Sequence, residues 1–323
     1  MPYDIVPLES RHLEDAASLA AARYAALRGQ TPLLPARYED AGSLLPMLQE
    51  LLAAAPGTAA LQDGRLAGFL AAWQIPSLRG QRAVYSPEWA NGAVPGDARR
   101  IYQLMYTRQS PRWIAEGCFD HYLTVLAHDQ AGIAGWQWLG FGYYAIDALR
   151  DLVPAEGAAA DINIRRATLD DVPVAAALGR ALRRHMASAP VFLVQADDGS
   201  PERHAAWLQK PANALWLAQR GERTVACLGI EPASHDACTV IRDEGTASIT
   251  SAFTVEEARG DGVATALLNR GLAWARAEGY ACCAVDFEAM NVQAARFWLR
   301  HFQPVCTSLY RHINERIAGR IVD

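Results

Sequence analysis

The sequence predicts an α/β protein with mixed (α+β) sheets, built as two tandem units of similar architecture. Three observations carry that prediction. The chain repeats itself at a nearly constant offset. Glycine-capped helices run directly into apolar strands. And 323 residues, 51% of them hydrophobic and 20% charged, suffice for two cores.

The repeat is clearest where AEGCFDHYLTVLAHD, Ala115 to Asp129, aligns without a gap on AEGYACCAVDFEAMN, Ala277 to Asn291. Both read as a helix end, a glycine C-cap (Gly117, Gly279) and an apolar strand. GFGYYAIDALR, ending at Arg150, then matches HFQPVCTSLYR, ending at Arg311. At the front, Ile5 matches Ile164 and Leu19 matches Leu178. Each front unit predicts a short strand, an acidic turn and an Ala/Leu-rich helix. Thr168 is the expected N-cap of the second such helix, with Asp171 three residues on. VPAEGAAAD, Val153 to Asp161, reads as a small-residue linker and divides the chain into domains 1–152 and 161–323. In the second, strands are expected at Ala214–Gln219, Arg223–Ile230 and Ala247–Val255, with helices near Gly262–Glu278 and Val292–His301.

The net charge of −5 argues against nucleic acid as a partner. The six cysteines, Cys118, Cys227, Cys238, Cys282, Cys283 and Cys306, form no CxxC and have no nearby histidine at ligand spacing. They read as buried, reduced thiols, with no metal expected. The opening MPYDIVPLESRHLEDA lacks the apolar core of a signal peptide. No apolar run approaches the roughly 20 residues that span a bilayer. The expectation is a cytoplasmic protein without a membrane partner, either a monomer or a homodimer.

The most informative stretch joins strand SAFTV to helix VATALLNRGLAWARAEG through EEARGDG. Glycine is about 1 kcal/mol worse than alanine inside a helix. Gly260 and Gly262 at a helix entry therefore point to a sharp turn or to close approach by a ligand. The first helical turn offers unpaired N–H groups and the positive end of the macrodipole, and Arg259 adds charge. Such a site suits a phosphate or pyrophosphate. The loop lacks the Lys-Ser/Thr ending of a P-loop and is not GxGxxG, which argues against an ATP-binding protein.

Arg259-Gly260-Asp261-Gly262-Val263-Ala264 resembles the R/Q-x-x-G-x-G/A signature of the GCN5-related N-acetyltransferase (GNAT) superfamily. Asn291-Val-Gln-Ala294-Ala-Arg-Phe297-Trp298, followed by His301-Phe302, is similar to its second signature, N-x-x-A-x-x-F/L-Y and then G-F. The resemblance spans about Ile164 to Arg311. It implies two tandem GNAT-like acyl-CoA N-acyltransferase domains, with acetyl-CoA as co-substrate and no metal. By that resemblance, Arg259, Gly260, Asp261, Gly262, Val263, Ala264 and Thr265 would cradle the coenzyme pyrophosphate. Phe253, Thr254 and Val255 would hydrogen-bond the pantetheine arm, and a backbone N–H near Val255 would polarise the thioester carbonyl. Asn291 and Phe297 would line the thiol end. The amine of a small molecule or a peptide N-terminus would attack directly in a ternary complex.

The sequence also departs from the family pattern. Trp298 stands where members often carry a tyrosine that protonates the leaving thiolate, and an indole N–H is a donor but no acid. Tyr310, on the following strand, and Tyr280 are the candidate substitutes. His301 replaces a glycine and reads as a helix-end residue. Glu288 is the candidate general base: it shares a strand face with Asp286 and lies nearer Asn291. Glu256 and Glu257 read as turn residues, since acids would repel a pyrophosphate. In the first repeat, Asp97, Arg100 and Tyr102 replace Arg259, Gly262 and Ala264, which predicts a degenerate domain that binds no coenzyme. The alternative function is a non-catalytic acyl-CoA-binding or sensing protein.

Overall fold

Alternating amphipathic helices and short apolar strands sort into two compact units in the computed structural model, which describes residues 2–159, 161–194, 199–232 and 237–318. The first unit comprises Met1–Ile146, Cys238–Val240 and Pro304–Asp323; the second comprises Asp147–Ala237 and Ile241–Gln303.

The first unit runs β1 (Asp4–Leu8), α1 (Leu13–Gln30), α2 (Ala41–Ala54), β2 (Gly57–Gln62), β3 (Arg65–Leu70), β4 (Trp73–Leu78), β5 (Gln81–Ser86), β6 (Asn91–Ala93), α3 (Ala98–Ala115), β7 (Asp120–Leu126), α4 (Gln130–Trp138) and β8 (Gly142–Arg150). Residues 147–150 of β8 count with the second unit. That unit continues with β9 (Asn163–Arg166), α5 (Val172–Ala187), α6 (Pro201–Leu208), β10 (Ala214–Arg220), β11 (Arg223–Pro232), β12 (Thr246–Thr254), α7 (Val263–Ala277), β13 (Cys282–Glu288) and α8 (Val292–His301). The final strand is β14 (Gln303–His312).

The two repeats share their element boundaries. β7 and β13 begin and end 162 residues apart, and α4 and α8 begin 162 apart. β1 and β9 begin 159 apart, as do α1 and α5. In the second unit the strands order as β13-β12-β11-β10-β9, antiparallel except for the parallel β12–β13 pair. In the first, one sheet orders as β1-β2-β3-β6.

The last strand departs from the sequence division. The repeat places it in domain 161–323, yet from Pro304 onward it belongs to the first unit. There β14 pairs antiparallel with β7, from Cys306 opposite Leu126 to His312 opposite Asp120. A repeat reports the order of elements along the chain. Which strand a terminal strand pairs with is decided by cross-strand packing.

The first core gathers Ile101, Met105, Tyr106 and Trp136 around Tyr102, which is 0% exposed and packs 5.0 Å from the Trp136 ring. The second unit buries Ala175, Leu178, Leu215, Leu217 and Cys227 together. All six cysteines are buried and unbridged. Among the described residues, no helix is long and apolar enough to cross a membrane.

The acidic turn before α5 forms as its residues dictate. Asp171 Oδ2 accepts from the Thr168 N–H at 2.8 Å, and Arg165 grips both carboxylate oxygens at 2.6 and 2.7 Å. The Arg165 hydrogen bonds, with help from Thr168, hold the Asp171 carboxyl down at about 2. A depressed carboxyl stabilises the fold above its unfolded pKa, and that stability is lost as pH falls through the folded value. Asp171→Asn is therefore expected to remove about 1–2 kcal/mol at pH 7. The difference from wild type should shrink as pH falls from about 4 towards 2. Urea unfolding at both ends of that range checks it.

Candidate active site

A wedge opens where β12 and β13 part. Their pairing runs from Thr246 opposite Cys282 to Ile249 opposite Val285 and then stops, while β12 continues to Thr254 and β13 to Glu288. On its other side β12 slips register against β11, so that Ser251 faces Gly229 but Ile249 faces Ile230. Thr250 is the extra residue of this bulge, and bulges bend the strand that carries them. The backbone edge of Thr250–Thr254 is thereby turned away from its former partner.

Beyond β12 a single 3-10 turn, Glu256–Ala258, leads to the glycine loop. Gly260 and Gly262 both take left-handed backbone angles, with φ of +86° and +77°. Gly262 has a second reason to be glycine. A Cβ there would lie 2.6 Å from the Gly157 carbonyl oxygen and 2.8 Å from the Ala159 nitrogen. The segment that reads as a loose linker is thus pinned along α7. Ala159 N–H donates to Gly262 O at 3.1 Å, Ala155 and Asn269 exchange two hydrogen bonds at 2.6 and 2.8 Å, and Arg276 reaches Leu152 O. The first intrahelical bond of α7 is from Ala266 N–H to Gly262 O. The N–H groups of Val263, Ala264 and Thr265 therefore have no intrahelical partner.

These elements border a cleft of about 620 Å³. Of the residues the sequence assigns to coenzyme, Phe253, Thr254, Arg259, Gly260, Gly262, Ala264, Thr265, Asn291 and Phe297 line it. Val255, Asp261 and Val263 do not. The Val255 N–H donates to Val225 O at 2.9 Å and is used in the sheet, so a carbonyl-polarising N–H near Val255 has to come from a neighbouring residue. Asp261 turns away to pair with Arg220 at 2.7 Å. Val263 is buried beneath the helix start.

Arg259 is held as a strut. Its Nε donates to Thr254 O at 3.0 Å, its Nη1 donates to Gln293 Oε1 at 2.7 Å, and its guanidinium sits 5.8 Å over the Phe253 ring. Arg296 and Arg300 on α8 add positive charge to the same lining. Asn291 is 7% exposed and caps α8, accepting from Ala294 N–H at 3.3 Å. Trp298 lines the cleft as an apolar wall, edge-on to Phe297 at 4.8 Å and to Phe302 at 5.4 Å.

The proton-transfer candidates fare differently. Glu288, at the end of β13, is half-buried but is not among the lining residues. Tyr310 lies on β14 in the first unit, where its hydroxyl donates to Asp120 Oδ1 at 2.8 Å. Burial, and then Asp120, raise its pKa, which suits a structural hydroxyl. Tyr280 packs on Trp274 at 5.9 Å and also lies outside the lining. His301 rests against Phe297 at 4.9 Å, its pKa lowered chiefly by burial.

Sequence reasoning missed His185. It sits near the end of α5, a helix that packs on β11 and β12, and it lines the cleft with Nε2 3.4 Å from Asn291 Oδ1. The available signal was its place in LRRHMA, on the last turn of a helix with an apolar face, and no motif singles it out. The first unit differs at the start of the corresponding helix. Tyr102 fills the core behind the start of α3, and Arg100 lies 5.7 Å over the Tyr3 ring.

Residues 181–302 match the model of the acetyltransferase (GNAT) family. Among solved structures, a GCN5-related N-acetyltransferase from Sphaerobacter thermophilus is 15% identical, with a TM-score of 0.54 over 96% of this chain and 95% of that one. A GCN5-related glucosamine N-acetyltransferase region of a fungal multi-domain β-N-acetylglucosaminidase is 13% identical, with a TM-score of 0.52 over 96% of this chain. The present chain spans 38% of that protein's length. At these identities the likeness is one of fold. No curated protein matches the sequence. The family match runs from the second half of α5 through α8 and so contains the glycine loop, the strand wedge and Asn291 together. Residues 181–302 thus carry a domain that matches the GNAT acetyltransferase family, a match that supports acyl transfer in general.

Proposed function

We propose that the second unit is an acetyl-CoA-dependent N-acetyltransferase acting on the amine of a small molecule or a peptide N-terminus. The observation that carries this reading is the start of α7: three N–H groups without intrahelical partners border a cleft rimmed by Arg259, Arg296 and Arg300. The cleft fits the coenzyme on two further counts. Gly260 leaves open space where a side chain would stand, and the parted β12 edge offers backbone groups to an amide-bearing arm. When bound, acetyl-CoA supplies an acetyl thioester, an activated acyl donor.

The chain's own residues then have distinct tasks. The α7 N–H groups and arginines hold the anionic end. Thr254 and Phe253 border the wedge, and Asn291 and Phe297 close its far side. An ammonium must lose a proton before it can attack, and His185 is the cleft residue suited to carry it. Trp298 shapes the cleft without acting as an acid. We read the first unit as silent toward coenzyme, because at the repeat offset Asp97, Arg100 and Tyr102 replace Arg259, Gly262 and Ala264. A net charge of −5 accords with an amine substrate rather than nucleic acid.

Calorimetric titration with acetyl-CoA, followed by a coenzyme A release assay across small amines and short peptides, tests the reading. One site per chain with release is the expected result. Two sites would overturn the silent first unit. Tight binding without release across the panel would favour the sensing alternative, which the indole at Trp298 motivates.

A further inference from the structure

The first unit brings together three side chains that no motif connects. Glu88, Cys238 and Cys306 are 2%, 3% and 0% exposed, and their donor atoms all lie within 4.8 Å of one another. They come from a loop after β5, a short stretch from the middle of the chain, and β14. We propose that this group is a structural metal site for a borderline-soft divalent cation, zinc, held by two thiolates and one carboxylate.

The chemistry of the donor set points that way. Two thiols and a carboxylate enclosed together match the ligand set of zinc, which accepts sulfur and oxygen in one tetrahedral shell. Ligands at about 2.3 Å (sulfur) and 2.0–2.2 Å (oxygen) from a tetrahedral ion stand roughly 3.5–3.8 Å apart. That spacing lies inside the 4.8 Å the group already meets. On binding, each cysteine releases its proton to solvent, so two thiolates and one carboxylate face a charge of +2. A water molecule completes the shell.

The surroundings hold the ligands in place. Val240 N–H donates to Glu88 Oε1 at 2.9 Å, Trp89 Nε1 to Thr239 Oγ1 at 3.2 Å, and the Tyr38 hydroxyl to Thr239 O at 3.3 Å. Cys306 is fixed by its strand register opposite Leu126. These contacts seat residues 238–240 against the loop that carries Glu88. An ion here would cross-link three stretches far apart in sequence, where closing long loops gives the largest entropic gain. Because all three ligands are almost fully buried, the ion is incorporated during folding and is retained on purification.

The test uses the full chain, produced with zinc or cobalt in the growth medium and purified under a reductant without chelator. About one metal ion per chain is expected, and the cobalt form should show sulfur-to-cobalt charge-transfer absorption. Cys238→Ala and Glu88→Gln should each lower the metal content about tenfold, because losing one of three ligands leaves an incomplete shell. Cys283→Ala, a buried thiol outside the group, should leave it unchanged. Acetyl-CoA binding by the second unit and the far-ultraviolet circular dichroism serve as integrity checks. If Cys306→Ala proves insoluble, the other two variants still decide the matter. Metal below a tenth of an equivalent in the zinc-grown wild type overturns the proposal. So does metal content that Cys238→Ala and Glu88→Gln leave unchanged.

Discussion

Ala264→Glu should weaken acetyl-CoA binding by about 100-fold or more, close to 2.7 kcal/mol, while leaving the fold intact. Ala264 is the second residue of α7 and lines the cleft. A glutamate there is a good helix former, and near a helix N-terminus it is favoured by the macrodipole. The stability of the free protein should therefore hold. The same carboxylate would occupy the N–H groups meant for the pyrophosphate and repel it. Two unit charges about 5 Å apart at an effective dielectric of 20 interact by roughly 3 kcal/mol. Calorimetry with acetyl-CoA, paired with thermal melts, reads both halves of the expectation. Wild-type affinity in this variant would place the anion elsewhere. A substitution at Gly262 is less clean, because any side chain there also collides with Gly157 and Ala159. Loss of binding could then come from displacing the pinned linker.

The second large effect concerns stability in mild acid. His121 on β7 is 1% exposed, with Nδ1 2.8 Å from the Tyr106 hydroxyl and Nε2 3.1 Å from Cys118 O. A neutral ring with its proton on Nε2 satisfies both contacts: it donates to the carbonyl and accepts from the hydroxyl. Burial, with Arg311 and His312 nearby, pushes its pKa down to about 4, against the pull of Cys118 O and Asp120. The unfolded chain takes up this proton near 6.5, and the folded chain only near 4. The first unit should hold its full stability above about pH 6.5 and lose about 3 kcal/mol as pH falls to about 4. Hydrogen exchange of the β7 amides across that range measures it. His121→Gln should start lower at pH 7 and lack this part of the acid slope. An equal slope in both proteins would assign the acid sensitivity to other groups.

Much of the proposed coenzyme side of the cleft was legible in the sequence because it is local. Gly260, Gly262 and the helix behind them lie within one strand–turn–helix passage. Backbone N–H groups at a helix start need no distant partner. Asn291 and Phe297 follow in the next such passage, and they too line the cleft. At Val255 the sequence cannot tell a free N–H from a paired one without knowing the neighbouring strand, here through Val225. Glu288 and Tyr310 have the right chemistry and lie near the motifs along the chain. Chain proximity did not bring Glu288 into the cleft, and it placed Tyr310 in the other unit beside Asp120. His185 went unseen because it comes from a helix more than 70 residues before the glycine loop.

By itself, the sequence determined the repeat, the order of strands and helices, the glycine turn before α7 and the absence of those glycines from the first repeat at the same offset. Each of these is written in periodicity, capping residues and glycine placement, over windows shorter than about 20 residues. Only the tertiary structure decided which unit holds β14, how the linker pins Gly262, which polar residues reach the cleft, and that Glu88, Cys238 and Cys306 converge. Those are contacts between stretches separated by tens to hundreds of residues. Side-chain packing and strand register choose them, and no local pattern records the choice.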